Sequence, residues 1–190
     1  MNVIEERLNK ILPKITSDDF LSGSGIGNEI AFYIFDYPPE AELRVREHIH
    51  HLLHHIPKRR PTLKVKHINL FDLVVGHLNS RGILDRSFIM QKEKGDDALL
   101  KAIQAPLHES KIAAIFAETA KPNEHDLVLV SGVGSVFPMM RTHTLLNNLH
   151  PLIGLTPLVL FYPGRYDGQS LRLFGKLQSN NYYRAFRLIT

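Results

Sequence analysis

The chain has 190 residues, 44% of them hydrophobic and 22% charged, with 23 Lys and Arg against 19 Asp and Glu and a formal net charge of +4. These proportions fit one folded domain and exclude a disordered chain, and no apolar run approaches the ~18 residues of a membrane span. Cysteine is absent, so disulfides, thiol nucleophiles and thiolate metal sites are excluded together, and any chemistry must use oxygen or imidazole.

The first residues, Met1-Asn2-Val3-Ile4-Glu5-Glu6-Arg7, read as the start of an amphipathic helix and not as a basic segment with an apolar export core, so a cytoplasmic location is expected. Val3, Ile4, Leu8, Ile11 and Leu12 recur at helical spacing up to Pro13, and a second short helix is predicted over 17–21. The loop Gly23-Ser24-Gly25-Ile26-Gly27 then leads into Ile30–Phe35, a continuous apolar run suited to a strand buried on both faces. Pro38, Pro39, Glu40 and Glu42 mark a helix start; Val45, Ile49, Leu52, Leu53 and Ile56 form its apolar stripe, ending at Pro57. Lys58-Arg59-Arg60-Pro61 reads as a basic turn before a second strand over 63–70 and a helix over 71–84.

Residues 87–120 read as a helical insertion with breaks at Gly95-Asp96-Asp97 and Pro106. Asp126–Ser131 is the clearest core strand, with Gly132-Val133-Gly134-Ser135 directly after it and a helix predicted from Val136 to Leu149. A fourth strand over 157–162, a loop over 163–168 and a last strand over 183–189 complete the pattern. Strands alternating with helices imply one α/β domain: a mostly parallel sheet of about five strands with helices on both faces, a helical N-terminal segment (1–22) and the insertion at 87–120.

In such a sheet ligands gather outside the carboxyl ends of the strands, here Asp36, Tyr37, Asn69, Asp72, Ser131–Ser135 and Tyr162–Asp167. Gly132, Gly134 and Ser135 could cradle a phosphate at a helix N-terminus. A dinucleotide fingerprint would need a third glycine where Phe137 stands, however, and no Gly-Lys-Ser/Thr occurs in the chain. The alternative is a tight turn with Ser135 capping the next helix. Among the 11 histidines, His50/His54 and His51/His55 have the spacing of metal-ligand pairs, weighed against a solvated helix face without the His-Glu-x-x-His pattern. A relay of Ser135, His143 and Asp36 lacks a nucleophile elbow.

Lys58, Arg59 and Arg60 form a basic patch at the opposite edge, a candidate nucleic-acid contact without a stacking platform. The segment from Arg165 to Tyr183 is rich in Arg and Tyr, types favoured at protein interfaces, and Arg165, Tyr166, Arg172 and Tyr182 are the candidate partner-binding residues. No catalytic motif is complete and no cofactor or metal is called for, so the expected role is binding rather than chemistry.

Several separated segments together carry a resemblance. They are Asn28–Glu40, Ile68–Leu73, Gly132–Pro138, Leu145–Pro151 and Leu160–Phe174, with Phe161-Tyr162-Pro163-Gly164-Arg165-Tyr166-Asp167-Gly168 inside the last. In that order, across nearly the whole chain, they resemble the BrxB family of BREX phage-defence systems. The resemblance implies a non-catalytic adaptor within that assembly, with PglZ as direct partner and BrxC as a further possibility, and carries over no catalytic residue. The strand order likewise is similar to a P-loop-type sheet without its phosphate loop. Phosphate sensing at Gly132–Ser135 and DNA contact at Lys58–Arg60 stand as the alternatives.

Overall fold

A computed structural model describes residues 3–22, 31–178 and 185–190. The helices are α1 (Val3–Asn9), α2 (Ile11–Ile15), α3 (Asp18–Leu21), α4 (Glu42–Arg59), α5 (Leu70–Ser80), α6 (Leu84–Lys94), α7 (Asp96–Ile103), α8 (Glu109–Ala120) and α9 (Thr142–Ile153). The strands are β1 (Phe32–Tyr37), β2 (Val65–Asn69), β3 (Leu127–Ser131), β4 (Leu158–Tyr166), β5 (Leu171–Leu173), β6 (Leu177–Gln178) and β7 (Phe186–Arg187).

Five strands run parallel in the order β2-β3-β4-β1-β7; β5 adds antiparallel to the far end of β4, and β6 antiparallel to β5. The expected α/β fold, with its mostly parallel sheet flanked by helices, is therefore observed. The two-residue period of the strands sorts their side chains into two cores. Phe32, Ile34, Val128, Val130, Leu158 and Leu160 face α5, α8 and α9, whose Leu70, Val74, Ile112, Phe116 and Leu145 complete that side. Tyr33, Phe35, Leu127, Leu129, Val159 and Phe161 face α1 to α4, packing on Leu8, Ile11, Val45, Ile49 and Leu52.

Several boundaries depart from the sequence reading. The N-terminal helix does not stop at Pro13; the chain breaks at Lys10 and restarts as α2, where Pro13 falls in the first turn and needs no N–H acceptor. Pro57 does not end α4, which continues to Arg59, so Lys58 and Arg59 occupy a helical turn where cations complement the carboxyl end of the dipole. The predicted helix from Val136 is a three-residue 3₁₀ turn, Gly134–Val136, because Phe137 precedes a proline and is held extended (φ −76°, ψ 137°); α9 starts only at Thr142. β4 runs on through the expected 163–168 loop as far as Tyr166 because it gains β5 as a new partner. Within the described residues the last strand is reduced to Phe186–Arg187 beside β1; Tyr183 and the Gly23–Gly27 loop lie outside them.

The helical stretch 87–120 breaks at Gly95 and around Pro106 as expected. Its last helix, α8, contributes Ile112, Ala113, Phe116 and Ala120 to the main core, whereas α6 turns Phe88 and Ile89 to solvent.

An arginine-lined cavity at the carboxyl edge of the sheet

β1 leads away to the edge strand β2, and β2, β3 and β4 step back until β4 lies beside β1. Crevices for ligands open where strand order reverses in this way. At the carboxyl ends of β1 and β4 there is a cavity of about 500 Å³ lined by Arg7, Asp36, Arg165, Tyr166, Asp167, Arg172 and Arg187, with Ile189 and Thr190.

Its frame is built on Asp36, which is largely buried near the end of β1. One carboxylate oxygen accepts from Arg7 Nη2 at 2.8 Å and the other from the Tyr166 backbone N–H at 3.1 Å. Arg7 also donates to the Asp36 carbonyl at 2.7 Å, and its guanidinium lies 4.9 Å from the centre of the Phe35 ring. Arg187 stands 3.9 Å from Asp36 Oδ1 and donates to the Tyr166 carbonyl. Charge-assisted, part-buried bonds of this kind hold four segments of the chain together.

The cavity wall comes from the β4–β5 ladder, where Arg165 is the register partner of Arg172 and Tyr166 that of Leu171. Tyr166, Leu171 and Leu173 point into the core, so strand alternation turns Arg165 and Arg172 to the opposite, exposed face. Asp167 is engaged locally: its carboxylate accepts from the N–H groups of Gln169 and Ser170 and from the Ser170 hydroxyl at 2.7–2.9 Å. Those bonds lower its pKa to about 2, with a small further contribution from Arg172.

Of the four candidate partner-binding residues, Arg165 and Arg172 are thus adjacent and exposed. Tyr166 is 1% exposed, and its hydroxyl bonds the carbonyls of Ala185 (2.7 Å) and Gly168 (3.1 Å), which gives it a structural role instead. Tyr182 lies outside the described residues. Arg7 and Arg187 were not singled out from the sequence; the available signal was a single arginine set into an apolar helix face and another in an apolar strand.

The Gly132–Ser135 turn is shaped by packing. Gly132 has φ +75°, and a Cβ there would sit 2.0 Å from Asn69 Oδ1, the oxygen that accepts from the Phe71 N–H at the start of α5. At Gly134 a Cβ would press on Phe174 and Pro163 at 3.1 Å. Ser135 does not cap a helix: its hydroxyl accepts from Arg46 at 3.4 Å, and Arg46 pairs with Glu42, which accepts from the Tyr37 hydroxyl at 2.6 Å. Burial, then Glu42, push the Tyr37 pKa upward. Since the 3₁₀ turn is only three residues long, the phosphate cradle expected at a helix N-terminus lacks its helix.

The imagined serine relay also falls apart. Asp36 is bound to Arg7 and Ser135 to Arg46, and the His143 side chain lies outside the described residues. A different pair forms instead, His67 Nε2 with Ser131 Oγ at 2.8 Å, in a second cleft with His50 and Asp72. Burial lowers the His67 pKa, His50 lowers it further and Asp72 opposes both, so the imidazole is neutral at pH 7. On α4 the His51 and His55 rings stack at 3.9 Å and His54 accepts from Lys58 at 2.7 Å. Among the described residues no three His, Asp or Glu side chains converge as metal ligands.

At the opposite edge Arg59 donates to the Thr16 hydroxyl, while Arg60 donates to the Thr16 carbonyl and pairs with Asp18. Two of the three cations in the basic patch therefore tie α4 to the N-terminal helices.

Fold and cavity together define a doubly wound α/β protein whose sheet-end crevice is lined by arginine, with Pro38-Pro39 where a P-loop sheet would place glycines after its first strand. A family model described as BREX protein BrxB matches residues 66–188. The chain is 42% identical over 193 residues to a BREX protein BrxB of Bacillus cereus strain H3081.97, covering all of this chain and 99% of the relative. It is 41% identical over 187 residues to one of Escherichia coli O9:H4 strain HS, covering 98% and 92%. The chain belongs to the BrxB family. No solved structure shows significant similarity to it. Among the described residues no helix is long and apolar enough to cross a membrane.

Proposed function

We propose that the chain is a non-catalytic adaptor subunit of a BREX phage-defence assembly and docks the PglZ component through the face formed by the β4–β5–β6 extension. Family membership supports its place among BREX proteins. The observation that carries the docking reading is the make-up of that extension and its surroundings. Exposed Arg165 and Arg172 stand on it with Leu177, 43% exposed, and Phe137, 36% exposed, packs edge-on against Phe174 of the same extension. Guanidiniums beside exposed apolar groups have the composition of an interface centre, where single truncations weaken binding by tenfold or more.

The test is co-purification with PglZ at near-physiological salt, followed by the mass of the complex. A complex of defined stoichiometry, weakened at least tenfold by Leu177→Asp, is the expected result. Failure of the folded chain to bind PglZ would sink the reading, and an intact complex with the Leu177 variant would move docking off this face.

A further inference from the structure

The cavity holds more positive charge than the fold uses. Arg7 and Arg187 are engaged by Asp36, and Asp167 is engaged by its own turn. The guanidiniums of Arg165 and Arg172 make no hydrogen bond or ion pair with any described residue, yet the ladder sets the two residues directly opposite one another. Their neighbours along the two strands cannot exchange faces with them, because Tyr166, Leu171 and Leu173 fill the core. Like charges directly opposite on antiparallel strands, roughly 5 Å apart at Cβ, are destabilising. A bound anion removes that repulsion and receives two guanidinium forks at once.

The setting suits a small ligand. A cavity of about 500 Å³ falls within the usual range for ligand sites, and it opens at the point of the sheet where strand order reverses. Among the described residues Tyr166 is the one aromatic in its lining, and its ring is buried, so none of the described lining rings is free to stack on a base. We propose that this cavity binds a phosphoryl oxyanion, with Arg165 and Arg172 as its ligands and the Arg7–Asp36–Arg187 cluster as the frame that positions them. Free phosphate and the phosphate end of a nucleotide share this chemistry. The assignment shares Arg165 and Arg172 with the proposed docking face, and titration of the isolated chain tests it apart from docking.

Calorimetric titration of the isolated chain with inorganic phosphate, pyrophosphate and AMP, at ionic strength held constant with chloride, tests it. Saturable binding at about 1 mM or tighter is expected, at least tenfold weaker in Arg165→Ala and in Arg172→Ala. Arg81→Ala, at the far end of α5, is expected to leave it unchanged. Both cavity side chains are exposed, so the variants stay folded, which thermal unfolding verifies. Equal affinity for phosphate and AMP would support the site and identify the free oxyanion as its ligand; tighter binding of AMP or pyrophosphate would support it with a phosphate ester as the source. No saturable binding of any of the three, an equal loss in Arg81→Ala, or binding of a glutamate-rich peptide without phosphate would overturn it.

Discussion

Asp36 and Arg7 show how one pair of residues can be both a structural tie and part of a cavity's lining. Removing the carboxylate strands a guanidinium whose side chain is only 20% exposed. Asp36→Ala should therefore lower unfolding stability by about 2–3 kcal/mol in urea titration, somewhat less than for a fully buried pair. Gly132 is constrained twice, by its positive φ and by Asn69. Gly132→Ala should cost about 2 kcal/mol or more, and hydrogen exchange should report loosening at the start of α5. Replacing Gly134 with a bulky residue would displace Phe174, so loss of function there would not isolate a phosphate site. At Gly164 a Cβ would meet the Arg172 carbonyl at 2.2 Å, so a glycine there is what lets β5 close on β4. The arginines and tyrosines after Pro163 stand out in the sequence by residue type alone. Which of them face solvent was not legible, because the strand was expected to end at Tyr162 and the parity that separates Arg165 from Tyr166 exists only once β4 continues.

Among the elements, long periodic ones were legible and short punctuated ones were not. β1, β3, α4 and α5 follow from buried apolar runs and helical stripes that single residues do not override. Prolines misled at Pro13, which falls in a first turn where no N–H acceptor is needed, and at Pro57, beyond which α4 runs on for only two residues. The turn after Gly132 misled the other way, since Pro138 delays α9 where the pattern read as continuous helix. Within 87–120 charge patterning hid a difference that burial reveals. Phe116→Ala should cost about 3–5 kcal/mol, whereas Phe88→Ser, at a position 61% exposed, should change stability by less than about 0.5 kcal/mol; paired denaturation curves decide this. Tyr166→Phe keeps the packed ring but deletes the bond to Ala185, and should cost about 1–2 kcal/mol while speeding proteolysis of the 185–190 segment.

For the molecule as a whole, pH acts through two part-buried histidines. His48 and His67 are both pushed below the ordinary 6.5, by burial first and by a neighbouring imidazole second. Each resists protonation in the folded chain more than in the unfolded one. The stability this represents is complete above pH 6.5 and is lost as pH falls through 6.5 toward the lowered values. The thermal midpoint should drop between pH 7 and pH 5, and His48→Gln with His67→Gln should flatten that drop. The order of the strands has a consequence for how the chain is made. Among the described strands β1 pairs with β4 and β7 alone, more than 100 residues downstream, so the described strands in the first half of a nascent chain form no completed pair, and high contact order makes folding slow and late. The family match at residues 66–188 begins after β1 and is therefore not a folding unit: a fragment started at residue 66 has a gap in the middle of its sheet and two unpaired edges that invite aggregation.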